Sequence, residues 1–330
     1  MTTVSTLSPQ LSRDLSQILA EPAWLATRRS EAWTAFARLA YPNLKVEEWR
    51  YTDLSAVPFE SLSLEQPQPQ TLGRHQLPAE VQARLAESDL AGFLVFVGSA
   101  LVYAEIPAEL RAKGVVLSSL HQAVQTHPQQ VERALFSAVG SGEKLYAMNS
   151  ALFTHGAFLY LPTGVEFEAP LAVFHYLAGG HLTASRTLVV ADANSKGVLI
   201  EEFLSPAQVS PALSLSVSEL LLASGSQLRH AHVQTLAEGF YHFHRTRAVV
   251  QRDARLNDLT ATFGGTLARA ETQSELAGPG ADSEMLGLYF AHGSQHLDHY
   301  TLQHHATHHT RSDLLYKGAV KDQAHTVYSG

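Results

Sequence analysis

From about Tyr146 onward the chain repeats one form four times: an apolar strand, a turn of small residues, then another strand. The segments are LVVADANSKGVLI, LLLASGSQLRHAHV, AVVQRDARLNDLTATF and SELAGPGADSEMLGLYF. They begin at Leu188, Leu220, Ala248 and Ser274, in steps of 32, 28 and 26 residues. A unit of that length cannot bury its own apolar face, so neighbours must stack on one another. β-Branched and aromatic residues broken by Gly, Ser, Asn and Asp read as strands and tight turns. A parallel β-helix satisfies this pattern, with inward side chains stacking on the same positions of the next coil. A two-sheet sandwich has similar strand content, but the drifting, coil-like period favours the solenoid. Each end of such a coil stack carries unpaired N–H and C=O groups and needs a cap or a partner strand.

The text before the repeats differs. Residues 8–40 read as helical, and in SEAWTAFARLA the residues Trp33, Phe36, Leu39 and Ala40 recur at helical spacing. Pro42 closes that pattern. Trp24, Trp33 and Trp49 all fall here and are expected to anchor a small helical core. EQPQPQ (Glu65–Gln70) reads as a linker, FLVFVGSALVYAEI as a hairpin turning near Gly98, and HPQQVERALFSAV as a helix. The predicted organisation is an N-terminal helical domain over 1–64, a mixed α/β linking region over 65–144 and a β-helix core over 145–330.

Composition narrows the function classes. Hydrophobic residues make up 45% and charged residues 16%, enough for a sizeable core and too little charge for long disordered tracts. The net charge of −8 argues against nucleic-acid binding. Protonating all eighteen histidines would bring it to −8 + 18 = +10. With no cysteine, the chain has no disulfide, thiolate nucleophile or Cys-based metal ligand of its own. MTTVSTLSPQ lacks the basic and apolar regions of a signal peptide, and no apolar run is long enough to span a bilayer. A cytoplasmic location is expected.

Histidine is the conspicuous chemistry. Seven of the eighteen lie between His292 and His309. Strand alternation puts His230 and His232 on one face, and likewise His242 and His244. A His-x-His pair followed by a carboxylate is how cupin-type barrels hold iron, manganese or zinc. HAHVQTLAE offers His230, His232 and Glu238 for that alternative, a metal-dependent enzyme, although the glutamate stands further off than the motif requires. Otherwise most of these imidazoles are expected to face solvent or a partner. Gly140-Ser-Gly-Glu-Lys144 lacks the ending of a phosphate-binding loop, and no Gly-x-Ser-x-Gly elbow is present. Glu47/Glu48 and Glu201/Glu202 read as solvated or capping pairs.

Three stretches together resemble the SufB/SufD family of the SUF iron–sulfur cluster assembly system. Lys45-Val-Glu-Glu-Trp-Arg-Tyr-Thr-Asp-Leu54 is similar to its E-x-W-[KR]-Y-T pattern, through Glu48, Trp49, Arg50 and Tyr51. NSALFTHGAFLYLPTGVEFEAP (Asn149–Pro170) is similar to the family's entry into the β-region. Arg269, Gly278, Gly280, Gly287, Asp298, Thr301, His305, Ser312, Tyr316-Lys317-Gly318 and Gly330 follow its closing D-x-x-T, then H…S…YKG run. The lack of cysteine, with Thr310 where many relatives carry one, resembles the SufD branch. The resemblance implies a mainly β fold, a right-handed parallel β-helix core preceded by a small helical and mixed N-terminal domain. It implies a non-catalytic partner of SufB and the ATPase SufC, with no catalytic residue, metal or cofactor of its own and a nascent iron–sulfur cluster carried only by the full complex. It further implies that the cluster-interface motif and SufC-docking helices lie beyond Gly330, so that an open β-helix edge could pair with a second copy. Tyr316-Lys317-Gly318 is expected to be structural, with Gly318 in a turn of positive φ.

Overall fold

The computed structural model describes residues 7–59 and 61–330. The first six residues, part of the stretch read for a signal peptide, lie outside the described residues. The chain opens with two helices, α1 (Pro9–Ile18) and α2 (Ala23–Arg38). The Ser8 side chain accepts a hydrogen bond from the Leu11 N–H to start α1, with Pro9 in its first turn. Ala20, at φ 49°, and Pro22 break the helical stretch in two. The second helix already ends at Arg38, where Leu39 is extended, ahead of Pro42. Beyond a long irregular segment come α3 (Ala79–Glu87), the hairpin β1 (Gly92–Val97) and β2 (Ala100–Glu105), α4 (Ala108–Ala112), β3 (Val116–Ser119), α5 (Leu120–Thr126), α6 (Pro128–Ala134) and α7 (Lys144–Leu152). The hairpin turns at Gly98, as its sequence suggested.

Thereafter the chain is strand and turn only. The strands are β4 (Ala157–Leu161), β5 (Leu171–Tyr176), β6 (Leu182–Ala191), β7 (Lys196–Leu204), β8 (Ala212–Leu222), β9 (Gln227–Gln234) and β10 (Phe240–Val250). They continue with β11 (Arg255–Thr262), β12 (Leu267–Leu276), β13 (Asp282–Ala291), β14 (His296–His305), β15 (Arg311–Val320) and β16 (His325–Ser329). Successive strands alternate between two eight-stranded sheets, ordered β15-β13-β11-β9-β7-β5-β1-β2 and β16-β14-β12-β10-β8-β6-β4-β3. Among β4 to β16 every pairing is parallel. This is the stacked coil that the loose repeat called for, about six turns of it. A closed barrel is thereby excluded. The strands of the 65–144 region join the stack, β1 pairing with β5 and β3 with β4. Among the described residues no helix is long and apolar enough to cross a membrane.

One corner of each coil is built alike. A single residue there takes the left-handed conformation: Gly164, Asn194, Gly225, Asp253, Gly280 and His309 in successive coils. These are residue types that tolerate positive φ. Each corner hydrogen-bonds to the next: Asn194 N–H donates to Ser224 O, Gly225 N–H to Arg252 O, Asp253 N–H to Pro279 O, and Gly280 N–H to His309 O. Two of the glycines are also needed for space. A Cβ on Gly225 would sit 2.3 Å from Asn194 Oδ1, and one on Gly280 would sit 2.0 Å from Asp253 Oδ1. The opposite corner is uneven, spanning 177–181, 205–211, 235–239, 263–266, 292–295 and 321–324 in successive coils. That unevenness is why the period drifts. Asp253→Gly should therefore leave the urea midpoint nearly unchanged, while Asp253→Val should lower stability by more than about 1 kcal/mol.

The N-terminal helices are fixed by one buried ion pair. Arg29 Nε and Nη2 each donate to Glu21 at 2.7 Å, while Nη1 and Nη2 donate to the carbonyls of Ala151 and Phe153 at the end of α7. Burial opposes the Glu21 charge, but the His121 ring 3.5 Å away and the paired Arg29 guanidinium outweigh it and hold its carboxyl down at about 2, against 4.5 in the open chain. A depressed folded value means this contribution is complete above 4.5 and is lost as the pH falls from 4.5 toward 2. The fluorescence of Trp24 and Trp33 should report loosening of α1 and α2 across that window. Glu21→Gln should flatten that response and cost about 3–5 kcal/mol at neutral pH, by leaving a buried guanidinium unpaired.

Candidate functional site

In-register stacking turns each inward position into a column along the lumen. One column is apolar: Leu159, Val189, Leu220 and Ala248. Its neighbour is a run of hydroxyls, Thr187, Ser218, Thr246, Thr272 and Thr301. The next carries imidazoles at His155, His244 and His299, with Ser185, Ser216 and Ala270 between them. The facing sheet contributes Glu201, His232 and Thr260 in one column and His230 and Asp258 in another. All of these are buried. His155, His175, His230, His232, His242, His244 and His299 are interior residues. The expectation of solvent-facing imidazoles is corrected for these seven, the two His-x-His pairs among them, which strand parity sends into a lumen that stacked Ser and Thr make polar enough to hold them; the other eleven are exposed or half-buried, as expected.

His230 lies between two carboxylates, with Nδ1 2.6 Å from Asp258 Oδ1 and Nε2 3.0 Å from Glu201 Oε1. Burial alone would push its pKa down, but Asp258 and Glu201 outweigh it and raise it to about 10, so both ring N–H groups donate. Glu201 also accepts from Thr187 Oγ1 and Ser218 Oγ, each at 2.5 Å. Its own carboxyl stays ionised against the desolvation that opposes the charge, through the His175 ring 3.9 Å away and the hydrogen bond with His230. Glu201 is therefore no solvated residue, as its pairing with Glu202 had suggested. Glu202 points the other way and meets Arg84 Nε at 2.5 Å.

Beside this network, His232, His242 and His244 bring nitrogen atoms within 4.8 Å of one another. His232 and His244 stack at 3.6 Å between ring centres. Desolvation pushes His232 and His244 well below the usual imidazole range and His242 down to about 3. His244 is held by Ser216 Oγ at 2.7 Å and Thr246 Oγ1 at 2.9 Å. The ring nitrogens of His232 and His242 have no hydrogen-bond partner. The alternative set of His230, His232 and Glu238 does not assemble. Both nitrogens of His230 are already engaged, and Glu238 sits exposed on the turn after β9. Sequence parity had paired His242 with His244, but gave no hint that they would face His232 across the lumen.

The residues of the family resemblance gather elsewhere. On the outer face of the second sheet, Phe243, Arg269 and Asp298 stand side by side on β10, β12 and β14. The Arg269 guanidinium lies 4.0 Å over the Trp49 ring, donates to Glu271 at 2.8 Å and pairs with Asp298. Thr52 Oγ1 donates to that same Asp298 carboxylate. One register step away, Arg245 bridges Glu271 and Glu143 and covers the Tyr146 ring at 3.6 Å. Segments some 200 residues apart in sequence thus meet in one buried junction. A cleft of about 460 Å³ opens beside it, lined by Glu48, Trp49, Arg245, Arg269 and Tyr300 among others. Glu48, Arg50 and Tyr51 are exposed, with Arg50 4.7 Å over the Tyr51 ring.

His305 and Ser312 lie apart from this junction. His305 ends β14 and reaches Thr310 Oγ1 at 2.7 Å and Ser312 Oγ at 3.0 Å across an exposed turn. Tyr316 packs into the lumen against His299, its ring lying on Gly287, where a Cβ would fall 2.1 Å from the ring. Lys317 is exposed. Gly318 is not in a turn and has no positive φ. It lies within β15 opposite Tyr289, where a Cβ would fall 2.0 Å from that ring. The glycine makes room for an aromatic ring.

Removing one partner of the junction tests its weight. Asp298→Ala should lower stability by about 1–3 kcal/mol, because Arg269 keeps Glu271 but it and Thr52 lose their shared buried acceptor. It should also hasten proteolysis in the irregular segment around Leu54, as judged by urea midpoints and digestion rates.

Residues 12–173 match the family model described as the SufBD protein N-terminal region, and residues 174–330 the model described as SUF system FeS cluster assembly, SufBD core domain. Curated relatives are named iron–sulfur cluster assembly SufBD family proteins. One from Staphylococcus saprophyticus is 23% identical over 98% of this chain and 71% of its own length. Relatives from Staphylococcus aureus and Staphylococcus haemolyticus match with the same identity and coverage.

Proposed function

The chain belongs to the SufB/SufD family of iron–sulfur cluster assembly proteins, and from that premise we propose that it acts as a non-catalytic, SufD-like scaffold subunit. Its partners in this reading are SufB and the ATPase SufC, and the nascent cluster is cargo of the whole complex. The observation that carries the reading is the junction itself. Trp49, Arg269 and Asp298, residues on which the resemblance rests, are spent on fixing the N-terminal segment to the coil stack. They weld two parts of the chain into one body with long exposed rims, which suits a protein that positions partners. ATP hydrolysis by SufC would then be felt as a shift of this rigid body against SufB, opening the surface where iron and sulfide meet. The absence of cysteine fits a role beside a cysteine-bearing partner.

Co-expression with SufB and SufC tests this. A stoichiometric complex on size-exclusion chromatography is expected, and Asp298→Ala should reduce its yield in step with the loss of stability. A chain that elutes alone, as monomer or self-paired dimer, while SufB and SufC are present and folded contradicts the proposal.

A further inference from the structure

We propose that His232, His242 and His244 form an interior binding site for one divalent first-row transition ion, iron(II), cobalt(II) or zinc(II), inside the coil stack. The inference stands apart from the assembly role proposed above. His232 on β9 and His242 and His244 on β10 come from opposite sheets, so their donors converge across the lumen. Imidazole is a good ligand for these ions. With metal–nitrogen bonds of about 2.1 Å, two donors on one ion stand roughly 3–4 Å apart, so the present 4.8 Å limit needs about 1 Å of closure.

The second observation is a deficit. Both nitrogens of His232 and both of His242 are buried without a hydrogen-bond partner. Each such group is costly to leave buried unless something fills it. Orphaned buried donors and acceptors of this kind call for an ion or a water. An ion on His232 and His242 satisfies one nitrogen of each ring. His244 supplies the third ligand by exchanging one of its two hydroxyl contacts for the ion. The other hydroxyl, Ser216 or Thr246, then orients the ring as outer-shell oxygens commonly do.

The rings are now stacked within 12° of parallel, so at least two must turn about the Cβ–Cγ bond when the ion enters. Glu201 is the register neighbour of His232, and it lies in the lumen in contact with Thr187, Ser218 and His230. A carboxylate so placed favours a cation beside it. Glu201, His230 and Asp258 are thus placed to support the site without ligating.

The site is closed, so it would be loaded during folding. The test uses the untagged full chain, expressed in medium supplemented with cobalt(II) and purified in the presence of EDTA. Elemental analysis should find one first-row transition ion per chain, and X-ray absorption at that metal's edge should show imidazole nitrogens in its first shell. A variant lacking the exposed turn imidazoles (His304→Ala, His305→Ala, His308→Ala, His309→Ala) should retain both. His242→Gln, confirmed folded by circular dichroism, should lose the ion. Should that variant not fold, the wild-type stoichiometry and the turn variant decide alone. A metal-free wild-type chain overturns the proposal. So does an ion that vanishes with the exposed histidines, or one that a folded His242→Gln retains undiminished.

Discussion

Everything in this molecule depends on strands pairing in parallel and in register, coil upon coil. Register converts a position in the sequence into a column in space. A column of Leu, Val and Ala makes a dry seam, while a column of Thr and Ser makes a hydrogen-bonding one. The polar columns let Glu201, His230 and Asp258 be buried as charges, because each finds a partner one register position away or across the lumen. On the outside the same register sets Phe243, Arg269 and Asp298 in a row, forming a receptor surface for Trp49 and Thr52. Lumen and junction are two faces of one constraint.

What keeps the register is the corner. A residue in left-handed conformation in every coil, linked by backbone hydrogen bonds to its neighbours above and below, fixes where each strand begins. The opposite corner also carries positive-φ residues, at Gly180, Gly239, Gly265, Gly293 and Asp322, but it varies in length. The stack can therefore absorb insertions on one edge without slipping. A slip of one residue would turn every lumen side chain to the outside, exchanging Glu201 for the outward Glu202 and breaking both networks.

Much of this was legible in the amino-acid text. The repeat from Leu188 to Ser274 pointed to a coil stack, and the Gly98 hairpin and the helix at Pro128 appear where their local signals placed them. The resemblance drew attention to Trp49, Arg269 and Asp298, although nothing in the sequence said that they touch. Contacts across some 200 residues depend on which faces of which coils meet, and local periodicity carries no such information. The lumen was misread for a related reason. Alternation shows that His230 and His232 share a face but not which face, and the bias that polar residues point outward gave the wrong answer. Gly318 was read as a turn residue because glycine so often is one. Its actual task, making room for the Tyr289 ring, depends on the neighbouring strand.

The absence of cysteine gives a clean background in which to measure register directly. Asn257 on β11 and Glu284 on β13 are register partners on the outer face, with their side chains already in contact. Cysteines at directly paired positions of adjacent strands meet the geometric limits of a disulfide, whereas a partner two residues along does not. The measurement is oxidative cross-linking of Asn257→Cys with Glu284→Cys, compared with Asn257→Cys with Leu286→Cys, each read by the shift of the closed-loop form on a denaturing gel. The account predicts rapid, near-complete closure for the first pair and little for the second. Preferential closure of the second pair, or of neither, would contradict in-register stacking and with it both the lumen and the junction.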